Sequence, residues 1–261
     1  MRGTAAFGCL VGAVIVQIAF LFIRRRRPDP ASHWLLLVAA LLLLSVTVER
    51  SVLISFVAVT STYESLIFFA AAVCCVAWGW RLVARERTPP FLLLGGTILA
   101  LTLLALSSSP LAPPELLPPV PALQSSWLVL HVTFSFAGEA FFAVSFVAAL
   151  AALAARDPER RLELEGVTAT AVGIGYPIFT AGALIFGSIW AQFAWGSWWS
   201  WDPKETWALV TWLVYTAYLH ARFVRRLRGR GTSIIAMVGF LLTLFTFLGV
   251  NFLLAGLHRY G

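Results

Sequence analysis

Charge is scarce in this sequence. Only 12% of its 261 residues are Asp, Glu, Lys or Arg, whereas 60% are hydrophobic, and the mean hydropathy is +0.86. Soluble domains carry about 25% charged and about 45–50% apolar residues, so roughly half the charge needed to cover a water-facing surface is missing. That shortage excludes an ordinary soluble domain and predicts an integral membrane protein, with apolar stretches along the whole chain and no room for a separate soluble domain. Cysteine is scarce too. Cys9, Cys74 and Cys75 all lie in apolar stretches without paired spacing, and no C-x-x-C-H sequence occurs, so the chain is neither a disulfide scaffold nor itself a c-type cytochrome. A formal charge of +7 would suggest nucleic acid in a soluble protein. Here the basic residues stand in short bursts between apolar runs and report membrane topology, so no nucleic-acid partner is expected.

The hydropathy pattern predicts an all-α polytopic protein with about eight spans, at about 5–23, 33–48, 64–83, 91–107, 127–154, 168–190, 204–222 and 232–254, each long enough to cross a bilayer with some tilt. The first lacks a small-residue cleavage site and runs into Arg24-Arg25-Arg26-Arg27, the pattern of a retained stop-transfer helix and not a signal peptide. One set of loops holds Arg24 to Arg27, Arg81, Arg85, Arg87, Arg156, Arg160, Arg161, Arg222, Arg225, Arg226, Arg228 and Arg230; the alternate set holds only Arg2, Arg50, Lys204 and Arg259. By the positive-inside rule both termini and the segments 49–63, 108–126 and 191–203 face outward, toward the periplasm if the host is a bacterium and the membrane its cytoplasmic one. The Pro-rich stretch from Pro110 to Pro121 reads as an outer loop, not a domain linker.

Tryptophan is concentrated where charge is not. Of 11 tryptophans, seven fall between residues 190 and 212: Trp190, Trp195, Trp198, Trp199, Trp201, Trp207 and Trp212. An interfacial aromatic belt would spread over all the helix ends on one face, but these residues gather at one outward loop. The i, i+3, i+4 spacing of Trp195, Trp198 and Trp199 predicts that a helical turn here would present three indoles as one apolar platform, suited to a large planar ligand.

The run Trp195-Gly196-Ser197-Trp198-Trp199-Ser200-Trp201-Asp202-Pro203-Lys204-Glu205 resembles the tryptophan-rich WWD signature of haem-handling proteins in cytochrome c maturation. With Thr206-Trp207-Ala208-Leu209 and Tyr218-Leu219-His220 downstream, and with Asp-Pro-Lys-Glu closing the signature, it resembles the CcsA (ResC) family. Tyr63-Glu64-Ser65-Leu66, Pro121-Ala122-Leu123-Gln124-Ser125-Ser126-Trp127 with His131, and Leu248-Gly249-Val250-Asn251 with Gly256-Leu257-His258 extend the likeness. It covers about residues 63–261 as a haem-handling domain with its WWD segment at 195–205, leaving 1–62 as two N-terminal transmembrane helices without resemblance.

The resemblance implies a protein that works with a CcsB/ResB-type membrane subunit as a two-component haem lyase. It passes haem b from an inner site to an outer one and presents it to apocytochrome c, whose two C-x-x-C-H thiols add to the haem vinyls as thioethers. No residue here resembles a nucleophile, because the apocytochrome brings its own thiols. Histidine is the common nitrogen ligand of haem iron, and the candidates are His33, His131, His220 and His258. His131 and His258 lie at outer helix ends on the tryptophan side and are the expected axial pair, with Trp195, Trp198, Trp199, Trp201 and Asp202 around the ring. His220 lies 15 residues beyond Glu205, about 22 Å along a helix, and so near the inner side. There it is either a histidine snorkelling beside Arg222 or, as the resemblance implies, a ligand for entering haem, paired with a histidine of the partner or with His33.

Other residues have plainer readings. Asp202, Pro203 and Glu205 fit N-cap, N1 and N3 of the seventh span, an end that with Lys204 could attract a haem propionate. Glu64 either caps the third span or contacts the outer site. Glu139, two turns beyond His131 with Ser135 between, departs from the family pattern and has no assigned haem role. Tyr176-Pro177, after Gly173 and Gly175, predicts a kink in the sixth span. Two rival functions stand beside this reading: within haem biology, a CcmC-like subunit that loads haem onto another carrier without ligation, and, ranked below it because His131 and His258 sit at the outer edge of the bilayer, a respiratory membrane anchor holding haem b for electron transfer.

Overall fold

The computed structural model describes residues 1–23 and 27–254. Among them every regular element is helical. The predicted spans appear as α1 (Arg2–Ile23), α2 (Ser32–Ile54), α3 (Thr62–Ala84), α4 (Pro90–Ser107), α5 (Ser126–Ala154), α6 (Pro158–Phe179) with α7 (Gly187–Trp195), α8 (Pro203–Leu219), and α9 (Arg230–Leu244) with α10 (Val250–Leu253). Three π-helical turns interrupt or extend these rods: Thr180–Phe186 joins α6 to α7, His220–Val224 follows α8, and Phe245–Gly249 joins α9 to α10. Seven of the rods are long and apolar enough to cross a membrane. The eighth, α8, has 17 residues before its π turn. The chain is a multi-pass membrane protein.

The sixth span starts ten residues before the hydropathy signal. Asp157 caps α6 by accepting the Glu159 N–H, and Pro158 occupies N1, where a missing N–H costs nothing. The first two turns then carry Glu159, Arg160, Arg161, Glu163 and Glu165, which a search for apolar runs passes over. The expected break at Pro177 takes an unexpected form: Pro177 stays inside α6, and the hydrogen-bond register widens just after it, across Thr180–Phe186.

The chain forms two compact units, Met1–Val120 and a second beginning at Pro121. The stretch read as a loop and not a linker thus carries the boundary at its end. In the first unit, α1 packs on α2, α2 on α3, α3 on α4, and α4 back on α1. Ala6, Leu10, Ala13 and Gln17 form the buried stripe of α1, at the three-and-four spacing of a helix face. Gln17 is its polar member, and its amide donates to Ser32 Oγ (3.2 Å) and Thr97 Oγ1 (3.0 Å), tying α1 to α2 and α4.

Glu64 does two jobs in this unit. It completes a capping box with Ser61 at the start of α3, and its Oε1 lies 3.2 Å from Arg50 Nε. The Arg50 guanidinium also donates to the carbonyls of Pro114 and Glu115, both at 3.0 Å, and lies 4.7 Å from the centre of the Tyr63 ring. That network fastens the Pro-rich stretch to α2 and α3 and satisfies a buried cation. It gives Glu64 a structural role in the first unit, where the sequence left cap and site open.

In the second unit α5 is the central element, packed against α6, the first π turn, α7 and α9, while α8 packs on α9 and α6. Glycine lets the α5 and α6 backbones meet. A Cβ added at Gly138 would lie 2.7 Å from Phe179 N, and one at Gly175 would lie 2.8 Å from the Gly138 carbonyl oxygen, distances that no side chain tolerates without a shift of backbone.

Candidate functional site

His131 lies in the second turn of α5, half-buried, where α5 meets the first π turn. Its Nδ1 is 2.9 Å from the Gly182 carbonyl oxygen. A carbonyl oxygen only accepts, so Nδ1 carries a hydrogen, and in the neutral ring the lone pair is then on Nε2. On its other side the imidazole stacks on Trp190 of α7, with centroids 5.9 Å apart and planes 9° from parallel. Trp190 is 2% exposed and donates its indole N–H to the Ala122 carbonyl (3.0 Å). It packs with Leu123 and Leu128, flanked by Trp127 and Trp195, and Trp195 meets it edge-on at 4.8 Å. The structure therefore brings His131, Trp190 and Trp195 into one aromatic cluster.

The three-indole helical face does not form. α7 ends at Trp195, because Gly196 takes a left-handed conformation (φ +74°) and stops the helix. Residues 197–202 are a loop. Trp198 and Trp201 are 59% and 68% exposed, and Trp199 meets Trp201 edge-on at 5.8 Å. Trp201 itself has φ +58°, a conformation costly for a bulky residue and held only where neighbours enforce it. The exposed indoles are presented by a pinned loop, not by a helical turn.

Glu205 supplies the pinning. Its Oε2 accepts from Ser200 N (2.8 Å), Ser200 Oγ (3.1 Å) and Asp202 N (3.2 Å), while the Asp202 carboxylate accepts from Lys204 N (3.0 Å) in a capping box with Pro203 at N1. Asp202 is 5% exposed. The expected N-cap arrangement is present, and it does more than start α8: one carboxylate holds the loop's last turn against the helix end. Thr206 adds a bond from its hydroxyl to the Trp201 carbonyl (3.2 Å).

The other tryptophans of the run pack inside the unit. Trp212 donates to Thr180 Oγ1 (3.0 Å) and stacks on Tyr176, and Trp207 meets Phe245 edge-on. His220 opens the second π turn and is exposed, 17 residues from Pro203 along α8, or about 25 Å. His258 lies outside the described residues, as do Gly256, Leu257 and Arg259. Glu139 is 6% exposed, and among the described residues neither its Oε2 nor Ser135 Oγ has a hydrogen-bond partner. His33 belongs to the first unit, 8% exposed, beside Trp34. Sequence reasoning missed Trp190 as the partner of His131, Ser200 as a loop anchor, and the Gly182 carbonyl, which has no side-chain signature at all.

This architecture defines a multi-pass helical membrane protein with a histidine and a rigidly held tryptophan loop in one unit. The family model described as cytochrome C assembly protein matches residues 61–258. The cytochrome c biogenesis protein CcsA of Prochlorococcus marinus (strain MIT 9303) is 34% identical, over 99% of this chain and 92% of that protein. CcsA of Gloeobacter violaceus is also 34% identical, with 78% of each chain covered. The solved structure of the cytochrome c haem lyase CcmF superposes with a TM-score of 0.67 at 18% identity, over 95% of this chain and 46% of that one, so this chain spans about half its length and shares its fold. The chain belongs to the cytochrome c assembly family, among its CcsA proteins, and its work lies in cytochrome c biogenesis.

Proposed function

We propose that this protein, with a CcsB/ResB-type membrane subunit, forms a haem lyase of a bacterial cytoplasmic membrane, its tryptophan loop facing outward. Residues 63–261 carry the haem-handling part and 1–62 supply two further spans. Haem b is the cargo. It enters at an inner site that includes His220, with a histidine of the partner opposite, and is held at the outer site by His131 and His258 as axial ligands. Trp195, Trp198, Trp199 and Trp201 cover the ring, while Asp202 keeps their loop in place at the α8 N-terminus.

The observation that carries this reading is the state of His131. Its Nδ1–H is committed to the Gly182 carbonyl, which directs a lone pair through Nε2, and metal-binding histidines are oriented in this way by their second nitrogen. The residues present fit a planar iron-bearing cargo in two respects: an imidazole already oriented by its second nitrogen, and aromatic surfaces gathered beside it. In the reaction, each cysteine thiol of apocytochrome c adds across one vinyl group. A C–S bond forms at one vinyl carbon and the thiol proton ends on the other, so the addition is redox-neutral and requires no nucleophile from this chain. The protein contributes orientation of the two reactants.

The test is to replace His131 or His258 with Ala in the full chain, co-expressed with its partner. Maturation of a reporter cytochrome c is lost and added imidazole partly restores it. Oxidised and reduced absorption spectra of the purified complex show bound haem in the parent chain and less in each variant. Full maturation by either variant removes that residue from the site, and haem loading onto a carrier without ligation would favour the CcmC-like function.

A further inference from the structure

The geometry points to Gly182 and Gly187, set in register by the first π turn, as the positioning residues that hold His131 in its iron-binding tautomer and orientation. This rests on His131 being an axial ligand. In an α-helix a carbonyl bonds the N–H four residues on, and residues five apart lie on different sides. Across Thr180–Phe186 the register widens, and the Gly187 N–H bonds to the Gly182 carbonyl, five residues back. The same oxygen also accepts His131 Nδ1–H at 2.9 Å, using the second lone pair of a carbonyl.

Gly187 makes the room. A Cβ built on it would lie 3.0 Å from His131 Nδ1 and 3.2 Å from Cε1, with no backbone atom of α5 among its nearest neighbours. The edge of the imidazole that donates the hydrogen bond therefore packs into the space that a side chain at Gly187 would fill. Gly182 brings the two helices together, since its own Cβ would run into the Phe134 and Ser135 backbone. Trp190, three residues beyond Gly187, stacks on a face of the ring. A π turn inserts one residue into a helix and is frequently found at functional sites. Here it points one carbonyl sideways at a histidine and clears a glycine-sized slot beside it.

The experiment compares Gly187→Ala with Gly173→Ala, whose Cβ would meet nothing within 4 Å, in the full chain with its partner. Haem per protein is read by pyridine haemochrome across a haem titration, and the ferric low-spin signal by electron paramagnetic resonance. Gly187→Ala accumulates like Gly173→Ala, but its haem affinity falls by about tenfold or more, as for loss of an outer-sphere partner of a metal-bound histidine, and the ferric signal shifts. Imidazole restores maturation. In the His131→Ala/Gly187→Ala double variant, imidazole rescues as well as in His131→Ala alone, because the defect acts only through the missing ring. A Gly187→Ala protein with parental haem affinity and spectrum overturns the proposal. So does one that fails to accumulate, or a double variant that imidazole rescues less well than the single, since each marks Gly187 as a packing residue. If His131→Ala itself keeps its haem and its maturation activity, the ligand assignment fails, and the positioning role with it.

Discussion

The imidazole of His131 and the indole of Trp190 lie nearly parallel, 5.9 Å apart, in a cluster whose other anchor is the bond from the Trp190 indole to the Ala122 carbonyl. Trp190→Ala empties a buried site and is expected to cost about 3–5 kcal/mol. Trp190→Phe keeps an aromatic face toward His131, loses one hydrogen bond, and is expected to cost about 1–3 kcal/mol for the carbonyl left unpaired. Thermal unfolding of the detergent-solubilised protein measures both, and equal losses would show that the indole N–H, not the ring, holds the cluster.

Asp202 and Glu205 separate capping from pinning. Asp202→Asn keeps an acceptor at N-cap and is expected to leave protein level and maturation near normal, since asparagine caps about as well as aspartate; Asp202→Ala loses about 1 kcal/mol. Glu205→Ala strips the partner from Ser200 and from the Asp202 N–H, so the tryptophan loop is expected to become the first site cut by limited proteolysis. Resistance of that loop in Glu205→Ala would mean the tryptophans hold it unaided. Abundant Asp202→Asn that cannot mature cytochrome c would mean that its charge matters.

Arg50 and Glu64 form a buried pair whose side chains are 11% and 3% exposed. Removing either partner strands a charge, so Arg50→Ala or Glu64→Ala is expected to cost about 3–5 kcal/mol, and removing both less than the sum. A double-mutant cycle by thermal unfolding measures the coupling. Additive losses would show that the Pro114 and Glu115 carbonyls, not Glu64, satisfy the cation.

The expected membrane orientation rests on the fifteen-to-four division of basic residues. A reporter active only outside is expected to work when inserted after Leu117, which is exposed, and one active only in the cytoplasm when inserted after Arg228. Cytoplasmic activity at Leu117 would reverse the membrane and place the tryptophan loop on the wrong side for an outer haem site.

Glycine spacing offers a stability check on the second unit. Gly138→Ala meets the Phe179 backbone at 2.7 Å and is expected to destabilise by overpacking, about 1–3 kcal/mol. Gly166→Ala meets nothing within 4 Å and is expected to stabilise α6 by up to about 1 kcal/mol through helix propensity. Thermal unfolding of the two variants reads the difference in sign.

The helical rods were legible because bilayer transfer energy is written residue by residue along the chain. The cap at Asp202, Pro203 and Glu205 was legible for a similar reason, since an N-cap is satisfied within four residues. The start of α6 was not, because Glu159 to Glu165 extend the helix through charge that hydropathy discards. The tryptophan platform was misread at one residue: Gly196, in the left-handed conformation, ended the turn that would have aligned Trp195 with Trp198 and Trp199. The likeness to CcsA was carried by the signature itself and is matched by relatives 34% identical.

Composition, span pattern and family were thus determined by sequence alone, since each is a sum or a short-range pattern over neighbouring residues. Three features were decided only in the tertiary structure: which nitrogen of His131 holds the hydrogen, which tryptophan stacks on it, and which cation answers Glu64. Each depends on groups brought together from different helices. In the first case the partner is a backbone carbonyl turned outward by a single widened turn, and neither hydropathy nor side-chain identity encodes where a carbonyl points.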